Sequence, residues 1–368
     1  MPFVTYTYEE LLEYKKTAPQ QAIEKVRADA DEILGRKTAS VVDIPITRPS
    51  GDVHDYISIG PYWWPNPDTP DGLPYINRDG QINPATRTGI APSTTYRLIA
   101  TLARAAFYVG DNGYSEYANR QMYDWFINPE TKINPNAKFA QGLPGICDGR
   151  STGLIEFAPS YILFNAIALL ESVGLMDSEI LAGVKAWFSE FLDWLLTDEN
   201  ALGADNSENN HGSWYDANVI ATAEFLGREA LVKKICKTAY WKRILSQITA
   251  AGEQPHELAR TRAMNYTFFN LDALLVIANI AERHGFSEFW GIDKVRGHCV
   301  LKQAVDFIYP YMLNPETFPY NEIAPRNQDA IFARSLLSVH KRFPDEGYAE
   351  RAKPFINDSE EYMLVPRF

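Results

Sequence analysis

The chain has 368 residues, and 46% of them are hydrophobic, enough for one large core or two small ones. Its formal charge of -12, from 47 acidic and 35 basic side chains, is the opposite of the basic surplus that nucleic-acid binders carry, so no nucleic-acid partner is expected. No apolar run reaches the length of a bilayer span, and residues 1–16 mix Glu, Lys and Tyr where a secretory leader would be apolar; no membrane partner is expected. Cys147, Cys236 and Cys299 are far apart and odd in number, which gives neither a disulfide framework nor metal-ligand spacing.

Taken in chain order, apolar residues at helical spacing predict a first helix over residues 20–34. Residues 43–84 then break the pattern. They contain Gly60-Pro61-Tyr62-Trp63-Trp64-Pro65 and Asp71-Gly72-Leu73-Pro74-Tyr75, and proline at that density forbids a helix. Helices are predicted over 93–109 and 114–126, followed by a second irregular stretch at 134–153 with Pro135, Pro144 and four glycines. Further helices are predicted over 155–173, 178–196, 214–226, 241–250, 266–284, 300–312 and 327–340. Gly110, Gly174 and Gly285 stand where left-handed C-terminal caps belong. Many helical hairpins in one chain point to a solenoid or an α/α toroid, and the lack of a fixed-period repeat counts against the solenoid. Long irregular stretches inside a helical domain tend to carry function.

Two segments concentrate residues suited to chemistry on an acidic sugar. Residues 209–216 read Asn-Asn-His-Gly-Ser-Trp-Tyr-Asp, in which Ser213 and Asp216 fit a capping box, so Asn210 and His211 are expected in the turn before a helix N-terminus. Free N–H groups at such an end can seat a carboxylate. Residues 254–266 carry Glu257, Arg260, Arg262 and Tyr266 ahead of another apolar helix, with Asn265 as the expected N-cap. If residues 258–263 are extended, Arg260 and Arg262 share one side. Each segment alone fits an ordinary turn or a structural ion pair as well as a site. Together they suit proton abstraction beside a uronate carboxylate: Asn, His and Arg neutralise the carboxylate while a tyrosine takes and returns the proton. Tyrosine titrates near 10, and a neighbouring cation lowers an acid by about 1–3 units, so arginine beside Tyr266 is expected to ease its ionisation.

These motifs, in this order, resemble the alginate lyase superfamily of polysaccharide lyases, from about residue 55 to about residue 320. The resemblance implies an all-α, (α/α)-toroid or incomplete barrel of about six to seven helical hairpins, with the long loops lining a cleft. It implies a single catalytic domain over 1–368, on which the helical segment 1–40 packs. It places Asn210, His211 and Arg260 on the uronate carboxylate and Tyr266 as catalytic base and acid. Tyr62, Trp63, Trp64, Gln141, Arg150, Trp214, His256 and Arg262 are expected to bind substrate around them. The implied substrate is an acidic polysaccharide, mannuronate-rich alginate first and glucuronan as the alternative, cleaved by β-elimination without metal or other cofactor. Gly212-Ser213-Trp214 departs from the aromatic arrangement of familiar alginate lyases, which bears on the sugar rather than the reaction. A monomer is expected, secreted or periplasmic with any leader already removed.

Two rivals have distinct chemistry. A toroid hydrolase would use paired carboxylates, for which Asp148, Glu156 and Asp216 are available. A non-catalytic polysaccharide binder would keep the aromatic loops and tolerate loss of the tyrosine hydroxyl.

Overall fold

Helices with one buried face account for most of the chain, seen in a computed structural model that describes Phe3 and residues 6–325 and 327–365. Helix α1 (Tyr8–Lys15) opens on a capping box between Thr7 and Glu10. Helix α2 (Gln20–Leu34) buries Ala22, Val26 and Ala30, which lie four residues apart and so on one face. Helix α3 (Pro92–Val109) stops at Gly110, whose φ of 81° is the left-handed cap predicted there, and Gly174 and Gly285 adopt φ of 73° and 87°. Then come α4 (Asn112–Phe126), α5 (Ser160–Ser172), α6 (Ser178–Thr197), α7 (Glu199–Asp205), α8 (Asn210–Phe225) and α9 (Glu229–Ala239). The series closes with α10 (Pro255–Leu258), α11 (Ala263–Arg283), α12 (Val300–Leu313), α13 (Asp329–Arg342) and α14 (Tyr348–Ala352).

Packing sorts these helices into two layers. An inner ring runs α3, α5, α8, α11, α13, each packed on the next. Behind it, α2 and α4 back onto α3, α6 and α9 onto α8, and α12 and α14 onto α13. Inner helices are enclosed from both sides and lose their amphipathic pattern. In α8 every residue except His211 and Glu224 is buried. The ring surrounds a cavity, which makes the fold an α/α toroid rather than a solenoid. Helices α1 and α2 lie against α3 and α4: Lys15 Nζ donates to the Phe107 carbonyl (2.7 Å), and Ala39 and Gln121 exchange bonds of 2.8 and 2.9 Å.

Three expectations need correction. Residues 151–156 form a 3-10 turn, so α5 starts at Ser160 rather than 155. The helix expected over 241–250 is a π-helical stretch, Tyr240–Leu245, running on from α9. Ser151–Ser172 is long and apolar enough to cross a bilayer, but 83% of its most apolar window is buried, as befits an inner-ring helix.

The two irregular stretches are stitched together by short strands. Strand β1 (Ile57–Ile59) pairs in parallel with β4 (Phe139–Gly142), while β2 (Trp63–Trp64) pairs antiparallel with β3 (Ile76–Asn77). Pro61 from the first stretch lines the same cavity as the inner helices, as do Arg87 and Glu156 just beyond the two stretches.

Candidate active site

Helix α8 begins earlier than the sequence pattern predicts. Asn209 is the N-cap, its side-chain oxygen accepting from the His211 N–H (3.1 Å), so Asn210 and His211 occupy the first turn. Ser213 and Asp216 therefore do not cap the helix. Ser213 donates to Gln247 (3.0 Å) and Asp216 accepts from Arg243 Nε (2.7 Å), both buried. Gly212 is needed here because an added Cβ would stand 2.1 Å from the Ser207 carbonyl. Nor is the helix end open to a substrate carboxylate, because an internal one occupies it. Asn210 donates its backbone N–H to Glu257 Oε1 and its side-chain Nδ2 to Oε2, both at 2.7 Å, and Asn210 is only 1% exposed. Burial raises the Glu257 carboxyl to about 7, against the pull of the Asn210 bonds and Arg260.

The segment before α11 is a helical turn, not a strand. After α10, the Arg260 N–H bonds the Glu257 carbonyl (3.1 Å); α11 then starts at Ala263 with Arg262, not Asn265, in the cap position. Glu322 accepts from the N–H groups of Met264 (3.0 Å) and Asn265 (3.3 Å) and satisfies that helix end. Arg260 lies over the Tyr266 ring, 3.9 Å from its centroid, and donates from Nη2 to the Tyr266 hydroxyl at 3.0 Å. The Tyr266 hydroxyl in turn donates to Tyr62 (2.8 Å). Arg260 also donates to Asp79 Oδ1 (2.5 Å), and Thr261 adds bonds to Asp79 from its N–H (3.2 Å) and hydroxyl (2.8 Å). Gly80 lets the loop close onto this turn: its φ is 74°, and a Cβ would stand 2.3 Å from Thr261 Oγ1. Arg262 makes no hydrogen bond to these groups, and its buried Nε has no partner.

Arginine does not ionise Tyr266 in the free site. Burial, then the Tyr62 hydroxyl, raises the phenol well above its usual value, and Arg260 offsets only part of this. Asp79 explains why. Burial works against its charged form, yet the bonds from Arg260 and Thr261 hold the carboxyl below its usual value, so it neutralises the arginine. The resting tyrosine is a protonated phenol.

Arg150 and His211 make the opposite wall. Arg150 donates from Nε to the Gln141 carbonyl (3.1 Å) and from Nη2 to Gln141 Oε1 (3.0 Å), and its guanidinium lies 5.9 Å from the Trp63 ring centroid. Half-buried His211 is lowered to about 4, by burial first and then by the fields of Arg150 and Arg260, so it is a neutral imidazole at neutral pH. The sequence candidates therefore divide. Arg260, Tyr266 and Tyr62 form one hydrogen-bonded chain, Arg150 lies near the Trp63 ring, and His211 feels the fields of both Arg150 and Arg260. Gln141 is buried behind Arg150. Trp64 is half-buried, its Nε1 bonded to the Gln81 carbonyl (3.0 Å). Trp214 is 3% exposed, stacked on Tyr161 and bonded to the Phe269 carbonyl (3.0 Å). His256 is exposed on α10 and makes no hydrogen bond to the others. Asp79 and Glu257 were not among the sequence candidates; the available signals were the Asp79-Gly80 turn and the three-residue spacing from Glu257 to Arg260.

Inward from the cleft, past Pro61 and Trp214, lies a cavity of about 830 Å³. Arg87, Arg97, Arg104 and Arg334 line it against Glu156, Asp272 and Glu361. Arg104 is paired with Glu361, so the lining carries only a small excess of basic groups inside an acidic protein. The hydrolase carboxylates do not pair: Asp148 is exposed, Asp216 is tied to Arg243, and Glu156 accepts from Tyr56 (2.9 Å) and Ser58 (2.5 Å).

A two-layered helical toroid around a central cavity is the fold of a class of polysaccharide lyases, the alginate lyases. The alginate lyase family model matches residues 40–318, and the chain belongs to that family. An alginate lyase structure from Bacteroides ovatus superimposes with a TM-score of 0.92 at 31% identity, covering 99% of this chain and 98% of that one. A curated alginate lyase from Pseudomonas fluorescens is 31% identical over 137 residues, 37% of this chain and 34% of its own length. One from Pseudomonas syringae pv. syringae is 33% identical over 103 residues, 28% of this chain and 26% of its own. The matched stretches thus span only about a quarter to a third of these curated relatives. Alginate lyase A1-III from Sphingomonas species A1 shares the fold, with a TM-score of 0.56 at 13% identity over 94% of each chain.

Proposed function

We propose that the protein cleaves a uronate-containing polymer by β-elimination, mannuronate-rich alginate first and glucuronan as the alternative. The observation that carries this is the Tyr266 hydroxyl, held between Arg260 and Tyr62, with a neutral His211 in the field of the same Arg260. A base removes the C5 proton, the electron pair forms the C4–C5 double bond, the C4–O bond breaks, and the leaving oxygen receives a proton. Donors on the uronate carboxylate stabilise the charge that builds there as C5 loses its proton. Tyr266, protonated at rest, supplies the proton to the leaving oxygen. In mannuronate and glucuronate the C5 hydrogen and the leaving oxygen share a face: Tyr266 first gives its phenol proton to solvent, the phenolate takes the C5 proton as the C4–C5 double bond forms and the C4–O bond breaks, and the re-formed phenol passes that proton to the leaving oxygen. In guluronate they lie on opposite faces, and His211 is the base. The test is a panel of polymannuronate, polyguluronate, glucuronan and hyaluronan assayed for ultraviolet-absorbing unsaturated ends. Fastest product from polymannuronate is expected; no absorbing product from any of the four overturns the proposal.

A further inference from the structure

The two arginines at the cleft differ in what already balances them. Arg260 is ion-paired with Asp79 at 2.5 Å. Arg150 forms no ion pair among the described residues; it meets the neutral carbonyl and amide oxygens of Gln141 and the face of Trp63. The nearest carboxylate whose field it feels, Glu156, is buried, with its oxygen committed to Tyr56 and Ser58. Arg150 is therefore a half-buried guanidinium without a direct ion pair, answered only through the field of buried Glu156, and its own field reaches His211.

Gln141 holds that guanidinium at some cost in backbone strain. Its φ of 50° makes it the only non-glycine residue at positive φ among the described residues, in a region that Gly or Asn enters more easily. Its N–H is pinned by Ser58 Oγ (2.8 Å), itself bonded to Glu156. The strained backbone turns both the carbonyl and the side-chain amide oxygen toward Arg150.

We propose that Arg150 is the cation that receives a uronate carboxylate beside His211, and that Gln141 is a positioning residue acting through Arg150 rather than a substrate contact. This rests on the elimination reading above. Guanidinium and carboxylate match as a two-pronged, charge-assisted pair, and Arg150 has no direct ion pair to give up for it where Arg260 has one.

The test is a double-mutant cycle of Gln141→Asn and Arg150→Gln. Asn tolerates the left-handed backbone but is one methylene too short to reach Arg150, so the melting temperature of Gln141→Asn should stay near wild type. Its kcat/KM on polymannuronate should fall roughly tenfold. Arg150→Gln should cost about 100-fold, and the double variant should be no worse than Arg150→Gln. Affinity for an oligomannuronate, measured in a Tyr266→Phe background to stop turnover, should fall in the same order. Normal cleavage with Gln141→Asn within about twofold of wild type, or losses that multiply in the double variant, overturns this inference and leaves the elimination reading standing. An oligomannuronate neither cleaved nor bound overturns both.

Discussion

The two walls of the cleft are built on opposite electrostatic plans. On the Tyr266 wall, every charge is answered: Asp79 pairs with Arg260, and the tyrosine hydroxyl sits in a chain from Arg260 to Tyr62. On the His211 wall, the guanidinium of Arg150 is bonded only to neutral oxygens and feels a carboxylate, Glu156, without a direct ion pair, and the imidazole is kept neutral by burial and by the arginine fields. The difference separates two jobs. A neutralised wall keeps a proton on a phenol, while a wall whose guanidinium has no direct ion pair attracts an anion. One cleft can then bind a polyanion without surrendering the proton needed by the leaving group.

The largest effect should come from the Tyr266 wall. Tyr266→Phe removes the hydroxyl but keeps the ring under Arg260, and turnover should drop by about 10³-fold or more with oligosaccharide affinity nearly unchanged. Substantial residual turnover would break the assignment. On the other wall, His211→Asn should slow guluronate cleavage by roughly 100-fold and mannuronate cleavage far less. The same histidine sets a pH signature. Its folded value of about 4 lies below the ordinary 6.5, so between these values the unfolded chain binds a proton that the folded protein refuses. Stability is therefore lost as pH falls through that window, and His211→Asn should flatten this slope in thermal melts taken from pH 7 to 4.

How much of this was legible beforehand depends on whether the information was local. The α2 helix and the three glycine caps follow from spacing and composition within one segment, and the structure places them where the pattern does. The α8 start was misplaced because two local capping patterns compete, and long-range partners decide between them. Arg243 claims Asp216 and Gln247 claims Ser213, from 27 and 34 residues away. Asp79 was missed for the same reason, since it lies 181 residues from Arg260 and only folding joins them. Trp214, a substrate-binding candidate in sequence, lies on an inner-ring helix, where its ring is 3% exposed and lines the central cavity. The expected effect of arginine on Tyr266 has the right sign but is outweighed, because burial, the Tyr62 hydroxyl and the answering charge of Asp79 are three-dimensional facts.

Smaller effects sharpen the contrast between the walls. Asp79→Asn should leave the shape intact but free the Arg260 charge, weakening its hold on Tyr266; kcat is expected to fall by roughly tenfold while KM for a polyanion falls or holds. A rise in KM without loss of kcat would place Asp79 in substrate binding instead. His256→Ala, at an exposed position without bonds to either wall, should change kcat/KM by less than about twofold. A larger loss would extend the cleft across α10.

The most direct test of the central claim is stoichiometric. During digestion of polymannuronate, ultraviolet-absorbing unsaturated ends and new reducing ends are counted together. Elimination at the Tyr266 site predicts one unsaturated end for every new reducing end from the first time point, with both lost in Tyr266→Phe. Reducing ends that appear without matching absorbance would mean hydrolysis and would contradict the account.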